Sequence, residues 1–336
     1  MSGSRTVRTI MPLLSLVCLA AGTVCAAEEG LPPRHAAPFD HLRIGADYWL
    51  SRGQGEWEIV FGSLDPVLGP VTGRSRLEWE DLRSDLLVLN AEIAPTRWLR
   101  ISGAYGSGDL DDGRNTDTDW VSAPLFYAYD YKFSESKADV GGEVELWHAD
   151  LHIVLSSWLD PHKFPAEISV FGGYHSYRDE LEMRNGLQTV LNETSVALPF
   201  PGVFNSTYDF DWEGLRLGAR GIFPLSTRLS LQATGAMMTR VEFRGEGFWN
   251  LREDYRPVAP NFVQEADGGS AYDVSLAVTY RPRRHVGLKA GYTWSHWSAR
   301  DGTDTVYLRD GTTLGTELDS VESTRVGYFV GVFAAI

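Results

Sequence analysis

Period-2 alternation of apolar and polar positions runs along most of the chain, and three stretches show it plainly. Val326, Tyr328, Val330, Val332, Ala334 and Ile336 take one face, and Arg325, Gly327 and Gly331 take the other. Leu229, Leu231, Ala233 and Met237 alternate with Ser230, Gln232 and Thr234. Leu288, Ala290, Tyr292 and Trp294 alternate with Lys289, Thr293 and Ser295. Successive side chains of a strand point to opposite faces. Each stretch therefore reads as a strand with an apolar face and a polar or small face, the lipid-out, lumen-in pattern of a membrane barrel.

A soluble β-sandwich alternates too, so the connectors decide. Short polar connectors fall at Pro95 to Arg97, Asp160 to Pro165, Pro224 to Thr227 and Arg281 to Arg284. Long polar segments lie between them, at roughly 62–74, 107–138, 185–205, 247–270 and 300–320. Short turns alternating with long loops match the two ends of an outer-membrane barrel. The predicted fold class is all-β: a transmembrane antiparallel up-and-down β-barrel with long extracellular loops. About ten strands are predicted, at 41–61, 75–94, 98–106, 139–158, 166–184, 206–223, 228–246, 271–281, 286–299 and 321–336. An even count puts both termini on the periplasmic side. A barrel of this size has a lumen largely filled by side chains. Strict alternation assigns Arg240, Glu242, Arg244 and Glu246 to that lumen as a salt-bridged plug.

The first 26 residues read as a signal peptide, with Arg5 and Arg8, an apolar run from Ile10 to Val24 and a small-residue cleavage site at Val24-Cys25-Ala26. Residues 27–40, with Pro32, Pro33 and Pro38, read as a disordered lead, and 41–336 as one barrel domain. Export and the barrel pattern place the chain in the outer membrane of a Gram-negative bacterium. Cys18 and Cys25 both lie in the predicted signal, so no disulfide is expected in the barrel.

The formal net charge is −15, and the first 26 residues hold two arginines and no acid, leaving −17 on the remainder. Such acidity excludes nucleic acid as a partner. Glycine (34), tyrosine (14), phenylalanine (15) and tryptophan (11) are frequent, as in barrels with aromatic girdles at both bilayer interfaces. The expected partners are outer-membrane lipid and lipopolysaccharide, together with extracellular peptides or proteins.

Several short motifs carry chemistry. Leu50-Ser51 is followed by Glu56; Ser75-Arg76-Leu77-Glu78-Trp79 opens the second strand; Gly106, Gly108 and Gly113 lead to Asp117-Thr118-Asp119-Trp120; and Gly173-Tyr174 is followed by Arg178. Taken together these resemble the omptins, outer-membrane proteases built as ten-stranded barrels. The resemblance implies that Glu56 binds a basic substrate side chain. It implies that Asp117 and Asp119 hold and polarise a water, and that Tyr174 and Arg178 contact lipid A phosphate, with Ser176 standing where that family has a glutamate. Asp117 and Asp119 are an i, i+2 pair, so in extended backbone both carboxylates share a face. Like charges there raise one pKa and let the pair hold a proton.

The omptin pattern also implies an Asp–His dyad on the opposite wall, near 245–252. The sequence there is Gly245-Glu246-Gly247-Phe248-Trp249-Asn250-Leu251-Arg252, with Gly247 and Trp249 at the dyad positions and no imidazole. A general base typically contributes 10²–10⁴-fold, so the omptin mechanism lacks its base here. His175 and His296 are the candidate substitutes, and parity turns His296 outward with Trp294. His148, Asp150 and His152 share a strand face, but one straight strand spaces such side chains ~6–7 Å apart. They read as lumen hydrogen-bonding groups; no metal and no cofactor is expected.

Three functional readings follow. The first is an omptin-like barrel with a non-catalytic or altered peptide-binding groove. The second is an active endopeptidase cleaving near basic residues with an unrecognised base. The third is a small structural or transport barrel without a site.

Overall fold

The computed structural model describes residues 40–65, 69–123, 127–158 and 166–336. The predicted signal peptide, nearly all of the lead and the Asp160 to Pro165 turn lie outside the described residues. Eleven strands follow in order: β1 (Leu42–Asp65), β2 (Gly69–Ile93), β3 (Leu99–Ala123), β4 (Tyr127–Val154), β5 (Glu167–Leu191), β6 (Thr194–Pro199), β7 (Ser206–Pro224), β8 (Leu229–Phe248), β9 (Phe262–Arg283), β10 (Val286–Tyr307) and β11 (Thr313–Ala335). Every pairing is antiparallel between neighbours in the ring. β1 pairs with β11 and β4 with β5, which closes ten strands into a barrel. β6 is a short extra strand on the upper part of β5.

The ten-strand count holds, but most of the expected long loops do not. Residues 107–123, for example, continue β3, and 127–138 begin β4. At ~3.3 Å per residue, strands of 19–28 residues far exceed the 9–11 needed to cross a bilayer. The polar segments are the walls of a barrel that projects beyond the membrane.

The two zones are built inside out relative to each other. In the zone nearer the chain termini, apolar side chains cover the outer wall, including Ile44, Leu89, Leu151, Leu217, Leu276 and Val330. The inner wall there is polar and paired. Arg216 bridges Asp150 and Asp273, Lys289 reaches Asp47, and Arg325 reaches Asp179. Arg100 and Arg220 both engage Glu92 and Glu167. Aromatic pairs such as Trp147–Tyr174 and Tyr292–Tyr328 sit on the outer wall where this zone ends. Above them the outer wall turns charged, and the lumen fills with Trp57, Trp79, Tyr208, Phe210, Trp212, Phe243, Phe262 and Trp297, all at 3% exposure or less. Lipid dictates the first arrangement and water the second.

β-bulges make the switch. Asp81, Arg240 and Asp301 adopt left-handed φ of 57°, 55° and 54°, and Gly268 has φ 83°. Register shifts accompany them on β2, β8 and β9. One extra residue reverses which side chains face inward. On β8, Met237 faces out below the bulge, while Val241 and Phe243 face in above it. Arg240, Glu242, Arg244 and Glu246 are therefore not in the lumen. Arg244 pairs with Glu246 and Glu265 on the outer wall. The lumen does hold an ion-paired plug, built from other residues on several strands.

Both described ends meet at the same rim, where His41 and Leu42 donate their backbone N–H groups to the Ile336 carbonyl. Asp40, counted with the lead by sequence, is anchored there by Arg281 at 2.6 Å and Arg43 at 3.0 Å.

Candidate functional site: an acidic cup on an aromatic floor

Asp117 and Asp119 lie on the upper part of β3, beyond the register shift between Leu110 and Arg114. On β2, Asp117 is opposite Leu77 and Asp119 opposite Ser75, both inward-facing and buried. The pair therefore shares the inner wall, as the i, i+2 spacing requires. Asp117 Oδ1 is enclosed without a hydrogen-bond partner. Burial, then the neighbouring Asp119 charge, pushes the Asp117 carboxyl well above its ordinary range; the Arg252 charge and the Ser75 hydroxyl pull the other way. The pair thus retains a proton at pH values where a lone carboxylate has lost it.

The floor is aromatic. Trp79 stacks on Tyr208 and meets Phe210 edge-on, each with ring centres 5.0 Å apart. Trp57 joins Trp79, Tyr208 and Phe262 at 6.2–6.4 Å. These contacts link β1 and β2 to β7 and β9 across the lumen. The Tyr208 hydroxyl donates to Gln264 Oε1 at 2.5 Å.

The β8–β9 loop forms the facing wall. It is tied to the top of β10: Arg256 N–H donates to the Tyr307 carbonyl at 2.9 Å, and Arg309 N–H donates to the Asp254 carbonyl at 3.0 Å. Asn261 fixes the loop's base, its Oδ1 accepting from Trp249 N–H at 3.0 Å and its Nδ2 donating to the Trp249 carbonyl at 3.2 Å. Arg252 lies 4.7 Å over the Tyr255 ring and 3.4 Å from Asp254. Its charge acts on both Asp117 and Asp119. Asp304 closes the β10 side, accepting from Thr316 Oγ1 at 2.8 Å. Burial raises its carboxyl too.

Gly247 and Trp249, at the positions of the omptin dyad, are packed into the floor. A Cβ on Gly247 would lie 1.9 Å from the Phe262 ring. Trp249 packs on Phe262 at 4.8 Å. Around the Asp pair, Arg252 and Tyr255 occupy the opposite wall. Burial raises the Tyr255 hydroxyl above its usual pKa, so it stays protonated, and its oxygen accepts from Arg252 Nη2 at 3.5 Å. Sequence reading missed Arg252, Tyr255 and Asp304. The first two could have been flagged by their nearness to the absent dyad, whereas nothing local marks Asp304.

The other sequence-predicted residues fall elsewhere. Glu56 alternates out of phase with inward Trp57 and sits on the outer wall, 2.6 Å from Arg76. It is not brought to the Asp pair. Tyr174 and Arg178 also face outward: the Tyr174 hydroxyl donates to Glu213, and Arg178 is held by Asp209 at 2.9 Å and Glu180 at 3.3 Å. His296 faces outward, stacked on Trp294. His148, Asp150, His152 and His175 lie in the lumen of the lower zone, well below the cup. Among the described residues, no group of three His, Cys, Asp or Glu side chains is arranged to hold a metal.

A closed ten-stranded ring, apolar outside at one end and charged outside at the other, defines an outer-membrane β-barrel with a cup at its projecting end. The sequence model of the family described as Pom, Protochlamydia outer membrane protein, matches residues 67–329, and the chain belongs to that family. No curated protein matches it by sequence. Among solved structures it resembles the outer membrane protease OmpT from Escherichia coli, with a TM-score of 0.72 at 13% identity, covering 92% of this chain and 99% of OmpT. At that identity the likeness is one of fold. The translocator domain of the autotransporter NalP from Neisseria meningitidis aligns over 98% of this chain and 96% of its own at 12% identity. Its TM-score of 0.34 is too low to bear on the fold.

Proposed function

We propose that this protein is a surface-exposed outer-membrane barrel that binds an extracellular peptide or protein in its acidic cup and does not cleave it. The reading rests on one observation: the Asp117–Asp119 pair faces Arg252 and Tyr255, while Gly247 is buried in the aromatic floor and the partly buried Trp249 packs against it. The carboxylate pair supplies attraction for a cationic side chain, and among the described residues no imidazole is placed beside it to act as a neutral general base.

The aromatic floor also argues against a transport barrel, since it spans the lumen from β1 and β2 to β7 and β9. Export by the first 26 residues and a Gram-negative host belong to the same proposal. So does a lipopolysaccharide contact at Arg178. That residue stands on the outer wall, four residues beyond Tyr174, which packs on Trp147 at 5.6 Å. Phosphate would have to replace Asp209 and Glu180 there.

The test is anisotropy of a labelled dibasic peptide with the refolded barrel in detergent and lipopolysaccharide. Saturable binding that falls at least about tenfold in Asp117→Asn/Asp119→Asn, the loss of about 1.4 kcal/mol, supports the cup. Unchanged binding in that variant removes it. For the lipid contact, Arg178→Ala should weaken the stabilisation given by lipopolysaccharide; equal stabilisation eliminates it.

A further inference from the structure

β5 and β6 form a hairpin whose far edge is open. Asn192 and Glu193 both adopt left-handed φ, 50° and 57°, as a two-residue type I′ turn requires. Their N–H groups donate to the Phe133 and Lys132 carbonyls at 2.8 and 3.0 Å, which pins the turn to the top of β4. β6 pairs with β5 and is the last strand of the sheet; among the described residues, no strand pairs with its other side. Leu191 and Thr194 flank the turn, where a hairpin of this type exchanges its first hydrogen bonds. The next residue, Ser195, therefore turns its backbone N–H and carbonyl away from β5. A register shift interrupts the pairing between Gln188 and Val190, and Pro199 closes the far end.

This edge lacks the usual protection. Native edge strands carry charges that repel a second strand, yet no charged residue occurs from Thr194 to Tyr208 in a chain that is 22% charged. Leu191, Leu198 and Val203 are exposed around it. The edge also lies in the row of the acidic cup. Asp119 is opposite Ser134, Ser134 opposite Leu191, and Leu191 opposite Thr194. Three strand spacings of ~4.8 Å put Thr194 within about 15 Å of Asp119. The loop that follows β6 is tied to the cup wall. Asn250, next to Trp249, donates from Nδ2 to the Val203 carbonyl at 2.7 Å, and its Oδ1 accepts from Asn205 N–H at 3.1 Å.

We propose that an extended peptide adds a strand to the open edge of β6 by main-chain pairing while its basic side chain sits at Asp117 and Asp119. This rests on the binding cup and adds what holds the rest of the peptide. An open edge specifies its occupant more closely than an apolar patch does, because an extended main chain is what matches its alternating donors and acceptors. A strand added outside β6 lies about 19 Å from Asp119, or ~6 residues of extended chain. The ligand class is therefore a basic residue joined to an uncharged, β-prone segment. A second copy of this chain is the poorer occupant. β6 has six residues and is ~20 Å long, and two such edges bury far less than the ~1,200 Å² of a stable interface. A peptide has a second hold in the cup, which raises its effective concentration at the edge.

The full chain, refolded in detergent with lipopolysaccharide, is titrated with labelled peptides followed by anisotropy. One is a short dibasic peptide; the second extends it by about a dozen uncharged Thr, Val and Ser residues, enough to reach and pair with β6. The extension should tighten binding at least about tenfold. A third peptide, with alternate amides of the extension N-methylated, keeps the side chains and charge but loses the donors, and should lose the gain. Ser195→Pro removes an outward N–H and should bring the long and short peptides to equal affinity. If that variant does not fold, the N-methylated peptide on the unmodified protein gives the answer without it. A gain that survives N-methylation, or no gain while the short peptide still binds through Asp117 and Asp119, overturns the added strand and leaves the cup standing. No binding of the short peptide, with N-methyl-sensitive binding of the extension alone, supports the strand and removes the cup. Self-association of the protein that Ser195→Pro abolishes makes a second copy the occupant and overturns the peptide.

Discussion

Trp79→Ala is the sharpest perturbation of the floor that closes the lumen. Trp79 is fully buried and touches Trp57, Tyr208 and Phe210, so its removal takes one ring from contacts made by three strands. An aromatic side chain of this kind buries roughly 150–250 Å², which at about 25 cal/mol per Å² corresponds to about 4–6 kcal/mol. That figure is an upper value, because the unfolded chain already hides some of this surface. Measured Trp-to-Ala changes in cores cost about 3–5 kcal/mol, and that is the expected loss, roughly two to three and a half decades in the folding constant. The Trp79 Nε1–H has no hydrogen-bond partner, so Trp79→Phe removes an unsatisfied donor along with some area and should cost clearly less. The assay is reversible urea unfolding in detergent, followed by intrinsic fluorescence. Arg52→Ala, at a side chain 54% exposed, serves as the control, with an expected change within about 0.5 kcal/mol. A loss below about 1 kcal/mol for Trp79→Ala would mean that the upper lumen is not a packed core.

Other expectations follow from the same geometry. The Asp117 carboxyl is raised in the folded protein, so its contribution favours folding most at pH below its unfolded pKa near 4 and is lost as pH rises through the folded value. Urea midpoints between pH 4 and 8 should therefore fall less in Asp117→Asn than in the parent. Arg244→Ala removes only exposed outer-wall pairs and should change stability by under about 1 kcal/mol. A lumen plug at that position would cost several times more. Gly247→Ala drives a Cβ into the Phe262 ring and should destabilise by about 1–3 kcal/mol. For the same reason Gly247→Asp/Trp249→His should not create a working dyad unless Phe262 is also reduced. In planar bilayers the barrel should show essentially no steady conductance; an ohmic pore would show that the floor does not seal.

The lower barrel was legible in the sequence because lipid imposes one rule on every strand. The outward set Val326, Tyr328, Val330, Val332, Ala334 and Ile336 and the set Leu288, Ala290, Tyr292 and Trp294 read correctly, although Phe329 and Phe333 between the former face inward. The upper barrel was hidden for two reasons. Its walls are wet outside, so stretches such as 107–123 carry the Gly, Ser and Asp content of loops while remaining strand. In addition, one left-handed residue reverses the alternation, as Arg240 does between Met237 and Val241. No hydrophobic period announces such a bulge, and Arg240 is not a residue type that favours it. The Asp117–Asp119 pair was found because i, i+2 spacing survives wherever the strand stays extended. Glu56 was misplaced because a short motif does not fix which side of the wall it faces. Arg252 and Asp304 reach the cup from distant segments, a juxtaposition created only by closing the ring.

Cleavage of a dibasic fluorogenic peptide by the purified barrel, in detergent with lipopolysaccharide, tests the central claim most directly. The expected result is no turnover above the protein-free rate, with the same peptide still bound and its binding weakened by Asp119→Asn. Turnover by the parent that disappears in Asp119→Asn would contradict a binding cup and make the aspartate pair the heart of a protease.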